Sequence, residues 1–272
     1  MLDERHEGSH EVAPFRPERN GTVDTLRWAK KRLAVPCLLE IDVAKAREAI
    51  RIYRKRTGTG LSLTAWIIFC VARAAAEHPR VHAVRGGKRK LILFHDVDVA
   101  VPIERAIGAG NRRETLPMPY VIRKANAKTP AEIHNELRHA QTASIAAGEA
   151  AIAAAPRPRF QSAFFRLPCF VRDLVFWRPL LRSPARIKKT MGTVVVTSVS
   201  TTIPGMLAWG VPLSIHPLAI GIGGIAKRNT GRGVAEILGL SVVFDHEVAD
   251  GAPVGRFIRL LCDLITRADA LA

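Results

Sequence analysis

The feature that most constrains this chain is the stretch from Met191 to Ala226, which holds no aspartate, glutamate, lysine or arginine. A run of that length is long enough to cross a bilayer. However, Pro204, Pro212 and Pro217, with many glycines, serines and threonines, break it into short pieces. It therefore reads as buried strands and turns of a sheet, with GTVVVTSVS and LAIGIGGI as the strands. Ala65 to Ala76 is also apolar, but it is too short to span and Arg73 interrupts it.

The rest of the chain must cover such a sheet. With 272 residues, 48% of them hydrophobic, it has the material for one large domain or two small ones. Aromatics are few while Ala, Val and Ile abound, which suits an α/β or α+β protein. The 41 basic residues outweigh the 24 acidic ones, for a net charge of +17. That charge attracts polyanions such as anionic lipid or phosphorylated small molecules. No zinc finger, RNP-type sequence or basic-aromatic array is present, so nucleic acid is not favoured. Cys37, Cys70, Cys169 and Cys262 form no C-x-x-C pair. They read as four small buried hydrophobes in a reducing compartment.

Residues 1–23 read as a flexible tail. Thr25 to Leu33 is a short basic helix candidate and Val35 to Ile41 a strand. Asp42 caps a helix through Arg54. Ser62 or Thr64 caps an apolar helix that His78-Pro79 ends. Strands are expected at 90–94, 97–103 and 120–122, and a helix from Thr129-Pro130 to about Ala147. Residues 157–189 carry nine basic residues, one acidic residue (Asp173) and dense aromatics. Two readings compete for them: a basic amphipathic element for an anionic membrane surface, and a packing insertion. Pro168, Pro179 and Pro184 cut the segment into short pieces, which favours the second. The strand Ile237 to Phe244 leads to His246, and Val254, Phe257, Ile258, Leu261, Leu264 and Ile265 have the spacing of a closing helix.

The segment FDHEVADGAPVGRF, ending that strand and starting that helix, resembles FDHRVVDGAPAARF of the 2-oxo acid dehydrogenase E2 (dihydrolipoamide acyltransferase) catalytic domain. Six further blocks resemble the same family in the same order. Among them, PYVIRKANAKTPAEIHNEL is similar to VPVIRNADKKSLAEI, and GTVVVTSVS stands for GTFTISNLG. The likeness extends over about residues 24–268. It implies a chloramphenicol acetyltransferase-like fold: an α+β two-layer sandwich whose mixed sheet is covered by helices. It also implies one acyltransferase domain over 24–272, with residues 157–189 as an insertion.

The resemblance implies acyl transfer between coenzyme A and a thiol such as dihydrolipoamide. His246 would be the general base and the Thr197 hydroxyl the oxyanion donor, with Ser198 as the neighbouring alternative. Asp250 would brace the loop through Arg27 or Arg32, and Gly251 would allow the tight turn into the last helix. His95 and His216 are candidates for the pocket wall, or else hydrogen-bonded surface histidines. A homotrimer with its active site between subunits is implied, and no metal. No lipoyl domain precedes the block, so the lipoyl group is expected from another protein. The expected setting is cytoplasmic, with membrane-peripheral placement beside it. Asp245 stands where condensation enzymes and chloramphenicol acetyltransferase carry a second histidine, which weakens those readings. The competing function is a non-catalytic scaffold or membrane-peripheral module that keeps the fold.

Overall fold

The computed structural model describes residues 10–12, 14–107, 114–142, 163–231 and 233–271. Its main sheet contains β1 (Ala34–Asp42), β4 (Val99–Ile107), β5 (Glu114–Ile122), β6 (Val194–Ser198), β7 (Leu218–Thr230) and β8 (Gly233–Asp245). The strand order is β1-β8-β7-β6-β4-β5. Strand β6 runs parallel to both neighbours, while β1–β8, β7–β8 and β4–β5 are antiparallel. This is the expected mixed sheet. A separate hairpin joins β2 (Val84–Gly86) and β3 (Lys90–Ile92).

Helices α2 (Ala44–Thr57), α3 (Leu63–Glu77), α4 (Pro130–Thr142) and α8 (Gly251–Arg267) form the second layer. Helix α3 is central. Trp66, Ile67, Ile68, Cys70, Val71, Ala72, Ala74 and Ala75 are all buried, so it is apolar nearly all round. The Ser62 hydroxyl caps it by accepting from the Ala65 N–H at 3.2 Å, worth about 1 kcal/mol. Helix α8 buries one stripe, Val254, Phe257, Leu261 and Ile265, at helical spacing. From the sheet, Val194, Val196, Leu218, Ile220, Leu240 and Val242 meet these helices. The residues between them face the other way.

On that other face a glycine trough runs through β7 and β8. A Cβ added at Gly221 would lie 1.9 Å from the Gly210 carbonyl oxygen, and at Gly223 and Gly239 it would lie 1.8 and 2.3 Å from that of Ala208. The loop through 206–210 thus lies backbone-on-backbone against the sheet, pinned by the bond from the Ser241 hydroxyl to the Gly210 carbonyl. The β7–β8 register shifts between Ile222 and Ile225, at the Gly223-Gly224 pair. Substituting Gly223 with alanine is expected to cost about 3 kcal/mol, the upper end of an overpacking penalty. A lowered urea midpoint measures it, and an unchanged midpoint would show that the loop yields freely.

Before β1, a short helical turn at Pro17–Arg19 leads into a helix. Helix α1 spans Asn20–Ala29, beginning earlier than the sequence suggests. The basic segment packs onto it. Helices α5 (Cys169–Arg172) and α6 (Arg178–Leu181) are joined by a π-helical turn, Asp173–Trp177, into one rod, and α7 (Pro184–Met191) follows. Pro179 lies inside this rod instead of ending it. Arg172 grips Asp24 from two nitrogens, at 2.6 and 2.9 Å, and the Trp177 indole donates to the same carboxylate at 3.3 Å. Asp24 and Arg172 are 1% and 4% exposed, so neither charge is affordable alone. Ala29, Trp177, Leu180 and Ile215 form a small second core. Residues 157–162 of the segment, 143–147 of the expected helix end, and 1–9 and 13 of the tail lie outside the described residues. Of the cysteines only Cys70 is buried. Cys37 and Cys262 are half-buried and Cys169 is exposed, which corrects the expectation of four core thiols. Among the described residues no helix is long and apolar enough to cross a membrane.

Candidate active site

His246 is the first residue beyond β8. Its backbone N–H donates to the Leu33 carbonyl at 2.9 Å, which ties it to the start of the edge strand β1. The imidazole is exposed and lies 5.8 Å from the Phe244 ring, between centroids. The turn beneath it is held by Asp245, which is 3% exposed. The Asp245 N–H donates to the Pro217 carbonyl at 2.9 Å. One carboxylate oxygen accepts from Arg32 at 2.5 Å, the other from the Glu247 N–H at 3.0 Å. The Asp245 carbonyl then takes the N–H groups of Val248 and Ala249. An exposed imidazole thus stands on a turn whose backbone N–H groups from Asp245 to Ala249 are all bonded.

Asp250 precedes α8 in an extended conformation and its carboxylate caps nothing. Neither expected arginine reaches it. Arg32 is taken by Asp245, and Arg27 by Asp173 and Asp24. This corrects the expected brace: the arginine before β1 steadies the histidine turn through the residue before His246, not through the one four places after it. Gly251 also departs from expectation. A Cβ there would meet open space, and its backbone is not left-handed, so the turn into α8 does not depend on glycine.

Thr197 lies near the end of β6, half-buried, and pairs with Gly221 of β7, which pairs with Ser241 of β8. Val194 and Val196 join the helix-facing core, so Thr197 is on the opposite face. Ser241 stands five residues before His246 on β8. At 3.3 Å per residue that is about 16 Å along the strand, with two strand spacings of ~4.8 Å across. Within one chain Thr197 and His246 therefore do not meet. Ser198 is exposed and its hydroxyl sits 2.9 Å from that of Ser200.

His216 is a structural member of this end of the sheet. Its Nε2 faces the Met191 carbonyl at 2.9 Å and its Nδ1 the Ser214 hydroxyl at 2.7 Å. The carbonyl only accepts, so Nε2 carries the proton and Nδ1 accepts from the serine. Burial, then the nearby Arg32 charge, pushes its pKa down to about 4. His82, which no motif singles out, is buried beside Thr193, with Nδ1 2.9 Å from the threonine hydroxyl. Burial, then Lys188, brings it also to about 4. His95 is exposed before β4, and its carbonyl accepts from Asn126 at 3.4 Å. No bond joins it to the His246 turn. Among the described residues no three His, Cys, Asp or Glu side chains gather as a metal site.

Buried His82 and half-buried His216 give stability a pH dependence. Unfolded, each takes a proton near 6.5, while the folded protein resists until about 4. Between those values the unfolded chain binds more protons, so stability falls as pH falls and levels off below about 4. A urea midpoint clearly lower at about pH 4.5 than at about pH 8 is expected, and a flat profile would contradict it.

Comparison with known proteins places this arrangement. The model of the family described as 2-oxoacid dehydrogenases acyltransferase (catalytic domain) matches residues 7–149. No curated protein matches. Among solved structures, the Azotobacter vinelandii dihydrolipoamide acetyltransferase (E2p) is 17% identical with a TM-score of 0.67, covering 100% of this chain and 97% of its own. The cubic core of the pyruvate dehydrogenase multienzyme complex is 16% identical, TM-score 0.66, over 98% and 96% of the two chains. A truncated catalytic core of the 2-oxoacid dehydrogenase multienzyme complex from Thermoplasma acidophilum is 19% identical, TM-score 0.61, over 97% and 100%. At these identities the likeness establishes the fold. With the family model spanning more than half of its length, the chain belongs to the 2-oxoacid dehydrogenase acyltransferases, as a catalytic domain.

Proposed function

We propose that the protein transfers an acyl group between coenzyme A and a thiol, with dihydrolipoamide on another protein as the acceptor class. Family membership carries CoA-dependent acyl transfer in general terms. The observation that carries the finer reading is the exposed imidazole of His246 on a turn fixed by Asp245 and Arg32. The imidazole removes the proton of the attacking thiol, and the thiolate adds to the thioester carbonyl carbon. The tetrahedral oxyanion takes a hydrogen bond from the Thr197 hydroxyl, a donor worth roughly 3 kcal/mol. Collapse expels the other thiolate, and the imidazolium returns its proton to it.

Because Thr197 and His246 lie far apart in one chain, they act together only across an interface between copies. That separation supports the homotrimer with an active site between subunits. In the Azotobacter enzyme a serine, a histidine and, four residues beyond the histidine, an asparagine have been investigated for their role in the catalytic mechanism. Asp250 stands four residues beyond His246 here, and its carboxylate is free to meet the neighbouring subunit. The net charge of +17 favours approach of the coenzyme A phosphates.

The test is turnover of acetyl-CoA and longer acyl-CoA with dihydrolipoamide as acceptor, alongside CoA binding by calorimetry. Transfer with any acyl chain supports the reading and identifies the acyl group. Neither transfer nor CoA binding would leave the fold as a non-catalytic scaffold and overturn it.

A further inference from the structure

The rod from Cys169 to Leu181 has two unlike sides. Its inner side holds Arg172, Trp177 and Leu180 against α1 and Ile215. On its outer side Phe170 is 70% exposed and Leu174 and Val175 are each 64% exposed. Leaving three large apolar side chains together in water is costly, and such a patch marks a binding surface. The rod continues the outer side with cations. Arg178 and Arg182 are exposed on it, and Arg186 and Lys189 on α7. None of these four forms an ion pair among the described residues. The one acidic residue of the segment, Asp173, is occupied by Arg27 and the Trp28 indole. The apolar patch therefore has a cationic border with no anionic counterpart.

Between rod and α7 lies a cavity of about 430 Å³. Val175, Phe176, Pro179 and Leu180 form its apolar wall, and Arg186 and Lys189 lie at its edge. An occupant that satisfies both carries hydrocarbon beside an anionic group. We infer that this surface docks the protein peripherally on an anionic phospholipid bilayer. Phe170, Leu174 and Val175 enter the acyl boundary, and Arg178, Arg182, Arg186 and Lys189 sit among the headgroup phosphates. Hydrophobic insertion and cationic attraction are the two components of interfacial binding. The surface is built by residues outside the acyl-transfer site, so it holds whether or not that site turns over.

Flotation of the full chain separates the outcomes. Vesicles of phosphatidylcholine alone are compared with vesicles containing about one-third phosphatidylglycerol. The wild type is expected on the anionic vesicles only. The double substitution Phe170→Gln and Leu174→Gln, both on exposed positions, should weaken that binding roughly tenfold, with the same thermal unfolding midpoint as the wild type. Arg178→Gln with Arg182→Gln should weaken it at low salt and leave the remaining binding less sensitive to added salt than that of the wild type. Wild-type binding that neither pair alters would place the contact elsewhere on this basic protein and overturn the inference. Equal binding to neutral vesicles, or none to either, would also overturn it. So would a double glutamine variant that changes only the sedimentation coefficient, because the patch would then be a contact between copies.

Discussion

A His246→Ala protein is expected to keep its fold and assembly while acyl transfer falls by about 10³-fold or more, the scale of a lost general base. The fold is expected to survive because the imidazole is exposed and the anchoring bond to Leu33 is made by the backbone. Thr197→Ala should lower kcat by about 10²- to 10³-fold, the scale of one lost oxyanion donor. The stronger prediction concerns the two variants mixed. In one chain the two side chains are far apart, so the proposed site takes a histidine from one copy and a threonine from another. After joint refolding, about one interface in four receives both wild-type groups if the assembly is cyclic. Recovery to roughly a quarter of wild-type activity is therefore expected. No recovery from a mixture shown to have exchanged subunits would refute the shared site.

The second large effect lies one residue earlier. Asp245→Ala removes the buried partner of Arg32 and the acceptor of the Glu247 N–H. Arg32 is partly exposed, so losing its buried partner costs about 3 kcal/mol, the low end for a broken buried pair. In a chain of this size that lowers the thermal midpoint by roughly 10 °C. Activity should fall as well, because the turn that aims His246 loses its hub. A double replacement separates stability from positioning. Arg32→Met with Asp245→Leu leaves no unpaired charge and should recover much of the midpoint. It restores no acceptor for the Glu247 N–H, so kcat should stay low while coenzyme A affinity is kept. Recovery of kcat along with the midpoint would reduce Asp245 to packing.

Much of this arrangement is legible in the sequence, for local reasons. The spacing of Val254, Phe257, Leu261 and Ile265 defines α8, and the β-branched runs at 194–198, 218–225 and 237–244 define the central strands. The glycines of LAIGIGGI signal close backbone approach, and the carbonyls of Ala208 and Gly210 fill the space they leave. Other features are invisible because they depend on distant partners. Arg32 and Asp245 are 213 residues apart, so sequence can suggest that an early arginine braces the histidine loop but not which carboxylate receives it. The outer parts of β7 and β8, Lys227–Thr230 and Gly233–Glu236, carry charges and lack an apolar pattern, yet each extends a strand that starts in the core. Pro179 reads as a break. The π-turn before it alters the local bonding register, so a residue without an N–H is accommodated and the rod continues.

The pairing of β1 with β8 joins the first strand of the sheet to its last. About 190 residues separate the end of β1 from the start of β8, so on the ribosome, at ~5–20 residues per second, the wait is roughly 10–40 s. During that interval the apolar side of β1, including Cys37, Leu39 and Ile41, lacks the strand that completes its layer. A nascent chain halted before Gly233 lacks the neighbour of β1, one of the two neighbours of β7 and the histidine together. Closure of the sheet and delivery of His246 are therefore one late event in biosynthesis.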